Sequence, residues 1–294
     1  MFDMHVLFDR FLESVILQNL LLPFEFEFMQ LAFLAVTIIS FPMAILSCYI
    51  VLKGWSLMGD AIAHAVLPGI VLAYILMIPL SIGAFTAGLC CAISTRFVKQ
   101  NSKLREDTVM GIVFSGMFAV GIIMFHETET DLHLTHLLFG DVLGITIASL
   151  IETTLITLAI LIVFCIKGRD LLLLIFDQKQ AQATGISVRF WHYAIPVMLA
   201  LAIVAALQAV GMILSIALLI TPGACAVLVT KRFSSMIKVA STVALGASLT
   251  GTYSSFYFDS APAATIVLFM SATFVLCFLY KQCNYRYLKT IKNE

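Results

Sequence analysis

Charge is the scarcest property of this chain. Of its 294 residues only 12% are Asp, Glu, Lys or Arg, about half the share of an ordinary soluble domain. The 17 basic and 17 acidic side chains cancel. So few charges cannot cover the surface of a soluble fold of this length, and no nucleic-acid partner is expected of such a balance. There is no G-x-x-x-x-G-K-[ST] phosphate loop, so the chain is not expected to be an enzyme; if ATP powers it, another chain hydrolyses it. There is no H-E-x-x-H motif, which weighs against an intramembrane metalloenzyme, since that chemistry needs enough ligands to fix a metal and activate water. The seven cysteines are odd in number and form no C-x-x-C pair. They read as small buried apolar side chains, not as a disulfide framework or soft-metal site. Ser/Gly linkers and short-period repeats are missing too, so one domain is expected. The N-terminus has no basic start and no small-residue cleavage site, so no removable signal peptide is expected.

Apolar residues, by contrast, make up 61% of the chain, and the mean hydropathy is +1.05. Lipid is the solvent that suits this composition. Within it every backbone N–H and C=O must be paired internally, which leaves helices or closed barrels. Barrel strands would alternate over about ten residues; the runs here, such as Leu31 to Leu52 and Ala263 to Tyr280, are near-continuous, as membrane helices require. The expected fold is an all-α polytopic bundle of about nine (eight to nine) transmembrane helices. Their approximate spans are 29–52, 57–76, 79–96, 108–125, 145–166, 194–212, 213–230, 236–254 and 262–280. In 194–230, Gln208, Gly211 and Thr221-Pro222-Gly223 mark either a clean hairpin or helix bends. The expected division is an N-terminal interfacial segment 1–28, a transmembrane domain 29–281 and a tail 282–294. Within the first of these, Val6 to Leu22 reads either as a surface amphipathic helix or as a frayed tail.

The basic residues then orient the bundle. With nine spans, every Lys and Arg except Arg10 falls on one side, 16 of the 17. The positive-inside rule makes that side cytoplasmic, so the N-terminus is expected outside and the C-terminus in the cytoplasm.

Three segments carry the candidate chemistry. In Gly54 to Gly69, Asp60 and His64 stand four apart on an expected helix and share a face. A carboxylate and an imidazole so placed can ligate one divalent ion, with manganese, ferrous iron or zinc better suited than a soft monovalent ion. The alternative is that Asp60 caps a helix and His64 bonds a carbonyl. Pro68-Gly69 implies a bend in the same helix. The outer loop from His126 to His136 gathers His126, Glu127, Glu129, Asp131, His133 and His136 into a cation-attracting rim. It reads as a metal-entry or receptor-facing loop, or as a merely solvated one. In Phe176 to Ile186, Asp177 can cap a short helix whose Ala181 and Ala183 are small, and Gly185 can end it. That helix suits a groove on a soluble partner, or is an ordinary connection.

Together these segments resemble the integral-membrane subunits of the ATP-binding-cassette importers for manganese, iron and zinc. The likeness runs from about Phe28 to Tyr280 and rests on GDAIAHAVLPG, FDQKQAQATGI, LLITPGACAVLV and DSAPAATIVL. DLHLTHLLFGDVLG looks nearest the manganese and iron branch. FDQKQAQATGI departs at Gln178 and Thr184, where proline and leucine are commoner. The resemblance implies a homodimer of permeases in the inner membrane of a bacterial cell, with a cytoplasmic ATPase per permease and an extracytoplasmic metal-binding receptor. It makes Asp60 and His64 the transient transport site, with no permanently bound cofactor and Mn, Fe or Zn as cargo. Asp177, Ala181 and Gly185 become the ATPase-coupling segment. An ion-gradient-driven metal transporter would explain the spans and the Asp60/His64 pair, but not that segment.

Overall fold

The computed structural model describes residues 21–128 and 142–291. Among these the regular structure is helical, with no strand. The helices are α1 (Glu27–Lys53), α2 (Ser56–Ala65), α3 (Leu67–Ile75), α4 (Leu80–Asn101), α5 (Glu106–Glu127), α6 (Ile147–Phe176), α7 (Gln178–Ala183), α8 (Val188–Val210), α9 (Met212–Val229), α10 (Phe233–Tyr257) and α11 (Pro262–Ile291). Nine segments of the described chain are long and apolar enough to cross a membrane, α2 and α3 together forming the second. They follow the order the hydropathy predicts.

The helices sort into an inner and an outer set. The α2–α3 span is 72% buried and α1 and α8 are each 67% buried, against 17% for α5, α6 and the membrane part of α11. Lipid tails are as apolar as leucine, so inner and outer helices share one hydropathy, and packing is settled by small residues and polar cross-links. Two such cross-links tie α1 to its neighbours. Ser40 Oγ lies 2.8 Å from Ser248 Oγ of α10. Ser47 Oγ accepts from the Gly223 N–H at 2.8 Å and donates to the Ile220 carbonyl at 3.2 Å, both on α9. Pro222 interrupts the ladder of α9 beside them. Ser47→Ala leaves the Gly223 N–H buried without that acceptor and is expected to cost about 1–2 kcal/mol, read as a lowered Tm of the purified chain.

The break in 194–230 falls at Gly211, which has φ 81° and ψ 174°, a region essentially reserved for glycine. There α8 ends, and the Ser215 N–H donates to the Gly211 carbonyl to start α9. Thr221-Pro222-Gly223 lies inside α9. Helix α6 continues to Phe176, past the expected end at 166, so Lys167 and Arg169 stand on a helix and not in a loop. Lys167 Nζ pairs with Asp170 Oδ2 at 3.1 Å, Leu171 and Leu174 are buried, and Tyr49 Oη donates to the Gly168 carbonyl at 2.9 Å. These contacts supply the reason to extend that hydropathy alone does not show. Helix α11 likewise runs on to Ile291.

Cysteine burial departs in part from expectation. Cys48, Cys91 and Cys225 are buried, while Cys90, Cys165 and Cys283 are exposed. On the outside of a membrane helix a small apolar side chain meets lipid as readily as protein. All seven are free thiols.

Candidate functional site

Asp60 and His64 lie on α2, a helix of small residues (Gly59, Ala61, Ala63 and Ala65) around which other helices close. A Cβ on Gly88 of α4 would sit 3.1 Å from Ile62, and the Cys91 thiol points at the Ala61 carbonyl, 3.9 Å away. Pro68, in the first turn of α3, has no N–H for the His64 carbonyl four residues back, and that carbonyl accepts from the Val66 N–H instead. The helix breaks there, at Val66, just ahead of the Pro-Gly pair. This turns α3 toward α4, where Gly69 and Gly83 bring the two backbones into contact.

His64 Nε2 lies 3.3 Å from Asp60 Oδ1, with the two side chains 28% and 33% exposed. Two donors each about 2.1 Å from one ion at nearly a right angle stand about 3 Å apart. The pair is therefore spaced to share a cation with little rearrangement, and it is open enough for an ion to reach. Neither side chain is spent on a helix cap or a carbonyl: α2 has no side-chain cap, and His64 Nδ1 is buried without a hydrogen-bond partner. The imidazole is held by rings: Phe118 lies edge-on at 5.3 Å and Phe114 is stacked at 6.0 Å, both from α5. No group of three or more His, Cys, Asp or Glu side chains converges among the described residues. The pair thus offers two protein donors, which suits an ion in transit better than a resident one.

Of the acidic rim, His126 and Glu127 belong to the last turn of α5 and not to a loop. They follow Phe118 by eight and nine residues, about 12 Å along the helix. Glu129, Asp131, His133 and His136 lie outside the described residues.

The third segment forms the short helix α7. Asp177 Oδ1 accepts from the N–H groups of Lys179 and Gln180, each at 3.0 Å. At the other end the Gly185 N–H donates to Gln182 and the Ile186 N–H to Ala181, the Schellman arrangement that a glycine at φ 84° permits. Ala181 is fully buried, so it anchors α7 to its own chain, while Gln178, Lys179, Gln182 and Ala183 are exposed. Sequence reasoning missed this outward set because six residues are too few to show a face. It also missed Phe114 and Phe118, whose approach to His64 no local signal reveals.

A bundle of membrane helices with a partly exposed carboxylate–imidazole pair on one of its most buried spans fits a multi-pass transport protein. The model of the ABC 3 transport family matches residues 25–281, and the chain belongs to that family, whose members are permeases of the bacterial inner membrane. It is 49% identical over 272 residues to the chelated iron transport system membrane protein YfeD of Yersinia pestis, covering 92% of this chain and 90% of that one. It is 42% identical over 257 residues to the manganese transport system membrane protein MntB of Synechocystis, covering 87% and 84%. Among solved structures, PsaBC from Streptococcus pneumoniae in complex with Fab matches with a TM-score of 0.78 and 39% identity, over 86% of this chain and 91% of that one.

Proposed function

We propose that this chain is the channel-forming subunit of an importer that carries divalent metal ions into the cytoplasm, with Mn2+ and Fe2+ preferred to Zn2+. The observation that carries the reading is the partly exposed Asp60–His64 pair, 3.3 Å apart on one of the most buried spans of the bundle. The names of the relatives, two for iron or manganese transport, favour those metals without choosing between them. The pair supplies two of the donors, and water completes the shell; weak, incomplete coordination lets an ion leave as well as enter. Both ligands bind metal deprotonated, so uptake falls as the pH on the loading side falls.

The transport cycle is alternating access in a homodimer of permeases, with the N-terminus outside and the C-terminus in the cytoplasm. A metal-binding receptor delivers the ion at the outer face, where the acidic rim of His126, Glu127, Glu129, Asp131, His133 and His136 attracts it. A separate ATPase grips α7, and closure of the ATPase pair exchanges outward for inward access. Helix α7 can transmit that push because its cap and its Schellman end make it a rigid tooth anchored through Ala181. Asp177→Ala removes the cap, worth about 1 kcal/mol, and Gly185→Val strains the turn at φ 84°. Both variants are expected to lower metal-stimulated ATP hydrolysis several-fold in the assembled transporter, Gly185→Val more, while Lys179→Ala stays near wild type.

Whole-cell accumulation of manganese, iron and zinc, compared with and without this chain, tests the function itself. Accumulation of manganese or iron that depends on the chain and on its ATPase is the expected result. Uptake that persists without any ATPase and follows the ion gradient would show a secondary transporter instead.

A further inference from the structure

A second polar site lies at the end of the bundle where α1, α4, α7 and α8 meet. A cavity of about 190 Å³ is lined there by Lys53, Arg96, Lys99, Gln178 and His192, with Trp55 as one wall. No Asp or Glu lines it. The nearest carboxylate along the chain, Asp177, is turned to the N–H groups of Lys179 and Gln180.

Arg96 and Lys99 are held in place by neutral groups. One guanidinium nitrogen of Arg96 (Nη1) donates to the His192 carbonyl at 3.2 Å, and the guanidinium stacks 4.7 Å from the Tyr193 ring. Its Nε is buried without a hydrogen-bond partner. Lys99 Nζ donates to the Leu104 carbonyl at 2.6 Å, and Lys53 Nζ lies 5.3 Å over the Trp55 ring. Among the described residues neither Arg96 nor Lys99 forms a salt bridge with a carboxylate. The like charges of Arg96 and Lys99 on one partly enclosed cavity repel one another, and an anion between them reverses the sign of that interaction.

Size and surroundings select the anion. The cavity is smaller than the roughly 300–1,000 Å³ of sites that engulf a whole small molecule, which fits a phosphate group and not a nucleotide. Beside Arg96, the apolar side chains of Ile93, Phe97 and Tyr193 are exposed on the outer surface of α4 and α8, where acyl chains would lie. The cavity also sits at the Lys/Arg-rich end of the bundle, the end that the charge distribution assigns to the anionic cytoplasmic leaflet.

We infer that this cavity binds the phosphate of an anionic phospholipid, with Arg96 and Lys99 as its principal ligands and the acyl chains lying along Ile93 and Phe97. None of its residues is Asp60 or His64, so the inference holds whatever the cargo.

Trp55 and Trp191 are the chain's two tryptophans; Trp55 lines the site, and Trp191 is the chain neighbour of the lining residue His192. Their fluorescence can therefore be followed in the full-length chain in neutral maltoside micelles. Short-chain phosphatidylglycerol is expected to give a saturable change, and phosphatidylcholine at equal concentration none. Inorganic phosphate should match it only at a concentration at least about tenfold higher, because it lacks the apolar contacts. Arg96→Gln with Lys99→Gln should weaken the phosphatidylglycerol response about thirtyfold, and Lys99→Gln alone about fivefold. Arg96→Lys should stay within a few-fold of wild type. If the double variant does not fold, the two single variants carry the test. Equal responses to the two lipids would overturn the inference, as would inorganic phosphate acting as well as the lipid. So would a wild-type titration in the charge-removing variants; in that case a loss of ATPase binding by the same variants would assign the cations to a protein partner.

Discussion

Metal uptake should collapse when either Asp60 or His64 is replaced by Ala, with the protein still in the membrane and still assembled with its ATPase. Removing a group that merely orients a metal ligand typically costs 10–100-fold in affinity or activity. Removing one of two direct donors should therefore cost at least about 100-fold in uptake at limiting metal. The two single variants should be nearly as inactive as the double, because one donor left in an apolar bundle does not replace an ion's hydration shell. Phe118→Leu is the informative companion. It keeps both donors and removes the ring set edge-on to His64 at 5.3 Å, so it should reduce uptake by a smaller factor and leave metal preference to Asp60 and His64. Uptake of radioactive manganese or iron into cells, normalised to the amount of assembled complex, reads all four variants. Normal uptake by both alanine variants would remove the pair from the ion path and leave the transport reading without its site.

The second large effect is on assembly. At Gly69 a Cβ would fall against the Gly83 carbonyl and 2.6 Å from Ala87 Cβ; at Gly83 it would fall against the Gly69 carbonyl and 2.5 Å from Ala73 Cβ. The obstacle in each case is backbone, which no change of rotamer clears. Gly69→Leu or Gly83→Leu must force α3 and α4 apart, at a cost above the about 1–3 kcal/mol usual for overpacking. Against total stabilities of about 5–15 kcal/mol, both variants are expected to fail to accumulate as folded protein. Gly111→Leu is the control: a Cβ there meets nothing within 4 Å, so its yield and Tm should match wild type. Size-exclusion profiles in mild detergent distinguish the outcomes. A monodisperse, fully stable Gly83→Leu variant would show that the close crossing is not needed to hold α3.

This dependence on contact explains what could be read early and what could not. The spans were legible because lipid imposes a length and a composition on any helix that crosses it. The Asp177–Gly185 helix was legible because helix ends use specific residues for local reasons, an αL glycine and a capping carboxylate; Gly211 was legible only as one of several candidate breaks, and helix packing chose it. The helical extension of α6 to Phe176 was not, since it depends on Leu171 and Leu174 finding burial against other helices. Nor was the inward turn of Ala181, for the same reason. The rim residues His126 and Glu127 looked like loop because their polarity marks the interface, and polarity does not end a helix.

The sequence by itself determined that this is a polytopic helical membrane protein of about nine spans, and which two ionisable residues share a helix face. Those follow from solvent, from chain length and from the period of the helix. Only the tertiary structure decided which helices are interior, because core and lipid demand the same apolar side chains. It also decided that Phe114 and Phe118 hold the His64 ring and that Arg96 and Lys99 face a common cavity. Such juxtapositions join residues distant in the chain and are made by helix packing, to which local sequence is blind.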